Sequence, residues 1–363
     1  MSDFFGGNAL YNLRERLGPA LLPLIVAFVV CALAVPLMIW LSRRTGMIAQ
    51  PGGRHDHPKP TPLLGGVAMY LGFAAALVLF LPHYKDTLGV LVVSALALVL
   101  LLADDRWQVR AAIKLGLQLV VALVAIVVFG FKIASFGLPG EQLLQLGWLA
   151  IPITLFWLLG MQNTVNLLDG VDGLAAGVVF IVAVTLLLAA AGRQVAYVQL
   201  AAALAGTCAG FLIFNFHPAR IFMGDSGAHF LGAALALVSI VGVARVAVAF
   251  ALVVPVLALA LPIGDTAWAI VRRRRQGTSV ALPDLSHLHH RLQRFGLDPR
   301  QTCYVFYAAS ALLGAVGLTL FGHGRILAVV VATSLALAST VAADLLQKTG
   351  WRVRVPYLRT LLG

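Results

Sequence analysis

Acidic residues are scarce in this chain, with 14 Asp and Glu among 363 residues, and only 11% of the residues carry a charge of either sign. No polar stretch is long enough to fold as a soluble domain of its own, which needs at least about 50 residues. Cysteine is almost as rare. Cys31, Cys208 and Cys303 fall inside or at the edge of apolar runs with no metal or redox spacing between them. That excludes a disulfide framework, a zinc finger and a C-x-x-C redox centre, and leaves three small packed apolar groups. No internal repeat is visible, which argues against transporter folds built from repeated halves. The first apolar stretch is too long for a cleavable leader and is followed by more of its kind, so it is expected to remain in the protein.

What the chain has in abundance is hydrocarbon. It is 61% hydrophobic, with a mean hydropathy of +0.95, far outside the range of soluble domains. A membrane span needs about 20 mainly apolar residues. Eleven stretches qualify, near 19–41, 63–82, 88–103, 111–131, 147–163, 173–191, 195–214, 227–243, 246–271, 301–321 and 326–346. The expected fold is an all-α polytopic membrane bundle, one integral domain over 1–363. Two accessory segments stand out, a His- and Arg-rich loop at 272–300 and a basic interfacial tail at 347–363.

The net charge of +12 does not point to nucleic acid, because the Lys and Arg residues follow a membrane topology. With the N-terminus placed outside, most of the 26 fall on one side: Arg43, Arg44, Arg54 and Lys59, then Arg106, Arg110 and Lys114, then Arg272 to Arg275, Arg291 and Arg294, and finally the C-terminal tail. The basic side is the cytoplasm, so the C-terminus is expected there. The Arg272–Arg275 run reads as a stop signal drawn to anionic lipid.

Against this background the placement of five aspartates is informative. Asp104, Asp105, Asp169, Asp172 and Asp225 all sit at the cytoplasmic ends of expected spans. An ionised carboxylate near hydrocarbon costs roughly 2.5–3.5 kcal/mol on insertion scales, so bringing several to one surface implies a use for them. Asp104-Asp105 closes the third span, with Lys114 ten residues after Asp104. Adjacent carboxylates cannot leave a helix in the same direction, so one suits the site and the other a capping or orienting task. In the next acidic segment Asn163, Asn166, Asp169 and Asp172 recur every third residue, an oxygen-lined strip if helical, with Gly170 and Gly173 leaving backbone exposed.

The segment Asn215 to Gly227 opens the eighth span. Asp225-Ser226 reads as a helix start, Phe222 as an aromatic face for a base or an interfacial side chain, and His217 as a loop residue. His229, one turn into that span, suits either the site or an interior hydrogen bond. Asp265 is expected to face the bundle interior and pair with a cation. In the 272–300 loop, His287, His289 and His290 beside Arg291 suit diphosphate contact or proton transfer better than zinc, since their spacing is not that of a helical zinc pair. Lys59 is the candidate substrate contact of the first cytoplasmic loop.

Two carboxylates 4 Å apart repel by about 4 kcal/mol at an effective dielectric of 20, so a converging acidic group calls for a divalent cation. All-oxygen donors with substrate phosphates indicate Mg²⁺, or Mn²⁺, over softer metals. A transporter, the reading from a different class, would instead carry its carboxylates near the bilayer midplane.

These residues, in this order, resemble the polyprenyl-phosphate N-acetylhexosamine-1-phosphate transferases. The resemblance rests on Asp104-Asp105 with Lys114, on Asn166 to Gly177, on Asn215 to Gly227 and on the His-Leu-His-His loop, and it covers most of the chain. It implies an eleven-span bundle that transfers a HexNAc-1-phosphate from a UDP-sugar to polyprenyl (undecaprenyl) phosphate with Mg²⁺, releasing UMP and starting a cell-envelope polysaccharide such as O-antigen or teichoic acid.

By the same resemblance Asp225 holds the metal with Asn166 nearby, and Asp104 deprotonates the lipid phosphate. Lys114 contacts the diphosphate, Asn215 and Phe222 form the uridine pocket, and Asp169 and Asp172 complete the acidic strip. His287, His289 and His290 resemble the loop that closes over diphosphate and sugar, with His289 expected in the catalytic group. The residues themselves add Asp105 as a catalytic candidate and Asn163, Lys59 and Arg291 as candidate substrate contacts. The loop sequence is closer to the UDP-GlcNAc branch than to the UDP-MurNAc-pentapeptide branch. Leu63 and Ala228 depart from the GlcNAc pattern, which usually has Arg and often Ser there. A homodimer is compatible with the outward spans, whose uniform apolarity marks no dimer face.

Overall fold

The structure is a computed structural model that describes residues 9–51, 59–81, 85–136, 144–191, 194–245, 256, 259–275 and 288–319. In lipid each backbone N–H and C=O must be satisfied within its own segment, so apolar runs of this length become helices. The described helices are α1 (Ala9–Thr45), α2 (Gly65–Phe80), α3 (Lys85–Trp107), α4 (Ala111–Leu123), α5 (Ala150–Leu168), α6 (Leu174–Ala190), α7 (Val195–Asn215), α8 (Gly224–Arg245), α9 (Ala260–Arg275), α10 (Leu288–Arg294) and α11 (Pro299–Thr319). A π-helical segment, Val124–Val128, continues α4.

Seven of the described helices are long and apolar enough to cross a membrane, and α2 and α6 are shorter apolar helices. The expected spans through residue 243 each coincide with one of α1–α8. Of the ninth, only residue 256 and the part from 259 onward are described, and α11 matches the tenth. The expected span 326–346 and the tail 347–363 lie outside the described residues, as does 276–287 of the His- and Arg-rich loop, with His287.

At the centre stands α8, packed against α2, α3, α5, α6 and α7. The most apolar window of Gly224–Gly242 is 94% buried, against 28% for Leu17–Thr45, so α8 is enclosed by protein while α1 turns one side outward. That outer side of α1 carries exposed Leu21, Leu22, Ile25, Val29, Leu33 and Leu37, a lipid-facing stripe. Its inner side meets α7 closely. A Cβ on Gly206 would run into the Leu24 carbonyl, and one on Gly210 would lie 2.5 Å from the Phe28 carbonyl oxygen. The Gly-x-x-x-Gly spacing therefore lets the two backbones touch, the usual device where no hydrophobic effect drives helices together.

Two short antiparallel ribbons tie helix ends together. Ile48–Ala49 (β1) pairs with Thr61–Pro62 (β2), closing the α1–α2 connection. Ser135–Phe136 (β3) pairs with Leu144–Gln145 (β4) at the opposite end of the bundle. At the first end the Leu64 N–H also donates to the buried Ser42 hydroxyl at 3.1 Å. The backbone N–H groups of Gly65 and Gly66 reach the carbonyls of Phe222 and Met223, at 3.0 and 3.1 Å. The start of α2 is thus sewn to the loop that leads into α8.

Candidate active site

The end of α3, the start of α4, the end of α5, the loop into α6 and the start of α8 converge at one end of the bundle. There the Lys114 ammonium lies 2.7 Å from Asp104 Oδ2 and 2.8 Å from Asp225 Oδ2. One cation from α4 thus bridges carboxylates from α3 and α8. Asp104 is 5% exposed and Asp225 34% exposed, so the first is committed to the interior while the second opens toward solvent. The other oxygen of Asp104, Oδ1, accepts the Val109 N–H at 2.8 Å, turning the chain between α3 and α4.

Asp105, expected among the catalytic groups, is engaged otherwise. Oδ1 accepts the Asp225 N–H at 2.6 Å, and Oδ2 accepts both the N–H and the hydroxyl of Ser226. Its carboxylate thereby caps the free N–H groups of the first turn of α8, as an acidic side chain at a helix start should. The approach requires Gly224, where φ is +72° and a Cβ would stand 2.7 Å from both Asp105 oxygens. Asp105 is therefore the group that sets the direction in which Asp225 leaves its helix.

The strip expected every third residue breaks where α5 ends at Leu168. Asn163 turns inward, its Nδ2 donating to Gln118 Oε1 and to the Leu159 carbonyl, both at 2.8 Å. Asn166, half-buried on the last turn, makes no side-chain hydrogen bond among the described residues. Asp169 caps the end of α5. Desolvation, reinforced by the Asp225, Asp105 and Asp172 carboxylates, holds its carboxyl well above the ordinary range. Asp172 leaves the strip: Oδ2 accepts from His217 Nδ1 at 2.8 Å and from the Ala219 N–H at 3.0 Å. Gly173, at φ +84°, makes the turn into α6.

Asn215 is 1% exposed and both ends of its carboxamide are engaged, Oδ1 by the Gly173 N–H at 3.0 Å and Nδ2 by the Ile221 carbonyl at 2.9 Å. It shapes the 216–223 loop. Phe222 lies half-buried on that loop, held through its backbone, with N–H to the Pro62 carbonyl at 2.8 Å. Lys59 is exposed just ahead of β2. His289 and His290 lie on α10 with the exposed Arg291. The start of α10 is fixed by Asp265, whose Oδ2 accepts the Leu288 N–H at 3.0 Å.

Several contributors escaped the sequence reading. His217 is the partner of Asp172, and Arg300 Nε donates to the His217 carbonyl at 2.9 Å. Tyr307 on α11 donates to the Gly173 carbonyl at 2.6 Å. Gln118 was missed although it stands one turn after Lys114 on the same face of α4, a spacing that does signal it.

Among the described residues no group of three or more His, Cys, Asp or Glu side chains is already gathered as a metal site. The chemistry of the donors nevertheless fits a hard divalent cation. Asp225, Asp169 and the unengaged Asn166 carboxamide offer oxygens only, and a cation there would relieve the repulsion between Asp169 and its neighbouring carboxylates.

Similarity to known proteins agrees with this geometry. Residues 87–243 match the model of glycosyl transferase family 4. A Bacillus subtilis (strain 168) protein named "Probable undecaprenyl-phosphate N-acetylglucosaminyl 1-phosphate transferase" is 37% identical over 291 residues, 78% of this chain and 81% of its own. The decaprenyl-phosphate N-acetylglucosaminephosphotransferase of Mycolicibacterium smegmatis is 33% identical over 343 residues, 85% and 84% of the two chains. The phospho-N-acetylmuramoyl-pentapeptide-transferase of Heliobacterium modesticaldum is 35% identical over 315 residues, 82% and 96%. With this much of the chain aligned, and with Asp104, Asp105, Lys114 and Asp225 all inside the matched segment, the protein belongs to glycosyl transferase family 4, among the polyprenyl-phosphate N-acetylhexosamine-1-phosphate transferases.

Proposed function

We propose that the protein transfers GlcNAc-1-phosphate from UDP-GlcNAc to a polyprenyl phosphate, undecaprenyl phosphate in a bacterial membrane, and releases UMP. The observation that carries this reading is the single Lys114 ammonium shared by Asp104 and Asp225, within a chain that aligns over most of its length with relatives named for the same transfer. An oxygen of the lipid phosphate attacks the sugar-side phosphorus of the UDP-sugar. The bond from that phosphorus to the bridging oxygen breaks, and the electron pair leaves on UMP.

Asp104, nearly enclosed, accepts the proton of the lipid phosphate where one is present. Lys114 moves onto the diphosphate and neutralises the charge that gathers on the leaving oxygens, so the catalytic effect comes from positioning and electrostatics. Asp225, with Asn166 and Asp169, would hold Mg²⁺, which when bound supplies a Lewis acid for the diphosphate oxygens. Phe222 at the loop rim offers a face for uracil. Asp105 and Asn215 hold Asp225 and the 216–223 loop in place. The loop carrying His289, His290 and Arg291 contributes charge toward the sugar diphosphate. The finer architecture belongs to the same proposal: eleven spans, N-terminus outside, and a site opening to the cytoplasm, where UDP-sugars are made.

The test is UMP release by detergent-solubilised protein given polyprenyl phosphate and a panel of UDP-HexNAc donors, with and without EDTA. UMP from UDP-GlcNAc that depends on acceptor and is abolished by EDTA is the expected result. Release from no donor would overturn the reading. The similarity to the Heliobacterium protein favours one second reading, UDP-MurNAc-pentapeptide as donor, which the same panel separates.

A further inference from the structure

One turn beneath the Lys114 ion pairs lies a second set of polar contacts that the transfer chemistry leaves unused. Lys114 and Gln118 are one turn apart on α4, as Asp225 and His229 are on α8, so the two helices face each other through two rungs. The upper rung is ionic. The lower one is neutral, and its direction follows from a single group. The Asp225 carbonyl can only accept, so His229 Nδ1, at 2.7 Å, carries the hydrogen and donates. Nε2 is then the acceptor, and takes an N–H of Gln118 Nε2 at 2.7 Å. The Gln118 Oε1 in turn accepts from Asn163 Nδ2 on α5 at 2.8 Å. Gln118 is 1% exposed and His229 fully buried, in surroundings where a polar group without a partner is costly. An apolar pair would fill this space as well, but it would not resist rotation of one helix against another, which directional hydrogen bonds do.

We propose that Gln118 and His229 are positioning residues for the transfer: a neutral rung that keeps α4, α5 and α8 in register, so that Lys114, Asn166 and Asp225 stay converged when the substrate diphosphate draws Lys114 away from its carboxylates. The inference rests on the proposed function. The ion pair cannot perform this task itself, because Lys114 exchanges partners during the reaction. His229 holds the carbonyl of the residue whose carboxylate the site uses, and Gln118 holds the helix that carries Lys114.

The experiment compares Gln118→Leu, His229→Leu and the double variant in detergent, reading melting temperature, kcat and KM. Each single change leaves a buried polar partner unsatisfied, so each lowers Tm. The double change removes both partners and restores Tm toward wild type, a non-additive cycle. Its kcat is expected to stay about tenfold or more below wild type, because the directional tie is still missing. KM for the UDP-sugar should stay within about twofold, since no substrate contact is lost. His229→Gln, which keeps a donor and an acceptor, should recover part of kcat. A double variant turning over at the wild-type rate would overturn the proposal, as would Tm losses that simply add. If wild-type protein transfers nothing from any donor, it is the proposed function that fails, and the Tm cycle alone still decides whether the rung exists.

Discussion

Lys114 is the side chain on which the site's charge balance turns. It is 16% exposed and holds two carboxylates from different helices at 2.7 and 2.8 Å. Lys114→Met keeps the stem and removes the charge, leaving Asp104 and Asp225 facing each other without a cation. Transfer is expected to fall by about 10²–10³-fold, the loss typical of a preorganised charge-stabilising donor, with size-exclusion behaviour unchanged as the check that the fold persists. Asp169 poses the opposite problem, a carboxylate that the fold tolerates poorly. Its carboxyl is held above its unfolded value, so below the unfolded pKa it is neutral in both states and no penalty exists. As pH rises past that value the unfolded chain ionises first, and stability falls. Asp169→Asn should therefore melt higher than wild type at pH 8 in EDTA, approach it as pH falls to about 3, below the unfolded carboxyl range, and lose transfer activity. A variant melting below wild type at pH 8 would contradict this account. Which carboxylates face the site was only partly legible in the sequence. The four-member strip from Asn163 to Asp172 presumed one helix, but α5 stops at Leu168, and a turn sends Asp172 to His217. Helix ends depend on tertiary partners such as the Asn215 carboxamide, 42 residues from the Gly173 N–H it accepts, and periodicity carries no record of those.

At the scale of elements, hydrophobic length alone was enough to locate α1 to α8 and α11, because a lipid-spanning run must be helical along its whole length. Which helix would be central was not legible, since α8 is no more apolar than its neighbours. Its enclosure follows from small residues. Gly227 lies against Gly66 of α2, and a Cβ on Gly232 would stand 2.5 Å from the Gln162 Cα of α5. The α1–α7 contact has the same basis at Gly206 and Gly210, a spacing visible in the sequence once α1 is known to be the partner. Gly206→Leu forces the two backbones apart, and no flexible side chain can yield, since the obstacle is the Leu24 carbonyl. Overpacking of this kind costs about 1–3 kcal/mol or more. The expected outcome is a sharp loss of monodisperse protein in detergent, while Gly18→Leu, where nothing lies within 4 Å of a Cβ, extracts like wild type.

For the whole molecule, the charge asymmetry of the loops and the convergence of the acidic groups are independent observations, one from sequence and one from side-chain geometry, and they select the same end of the bundle. Arg43 and Arg44 close α1, Arg106 closes α3, and the Arg272–Arg275 run ends α9, all at the end where Lys114 bridges Asp104 and Asp225. Because basic loops are retained in the cytoplasm, the site should open there. The three native cysteines make this measurable without a cysteine-free background, since Cys31, Cys208 and Cys303 are all buried. Arg43→Cys places a thiol at the exposed site-bearing end, and Gln145→Cys places one in the exposed β4 strand at the other. A membrane-impermeant maleimide added to intact cells should label Gln145→Cys alone. In inverted membrane vesicles the pattern should reverse. Labelling of Arg43→Cys from outside intact cells would place the acidic cluster on the wrong side of the membrane for a nucleotide-sugar donor, and the proposed reaction would fail with it.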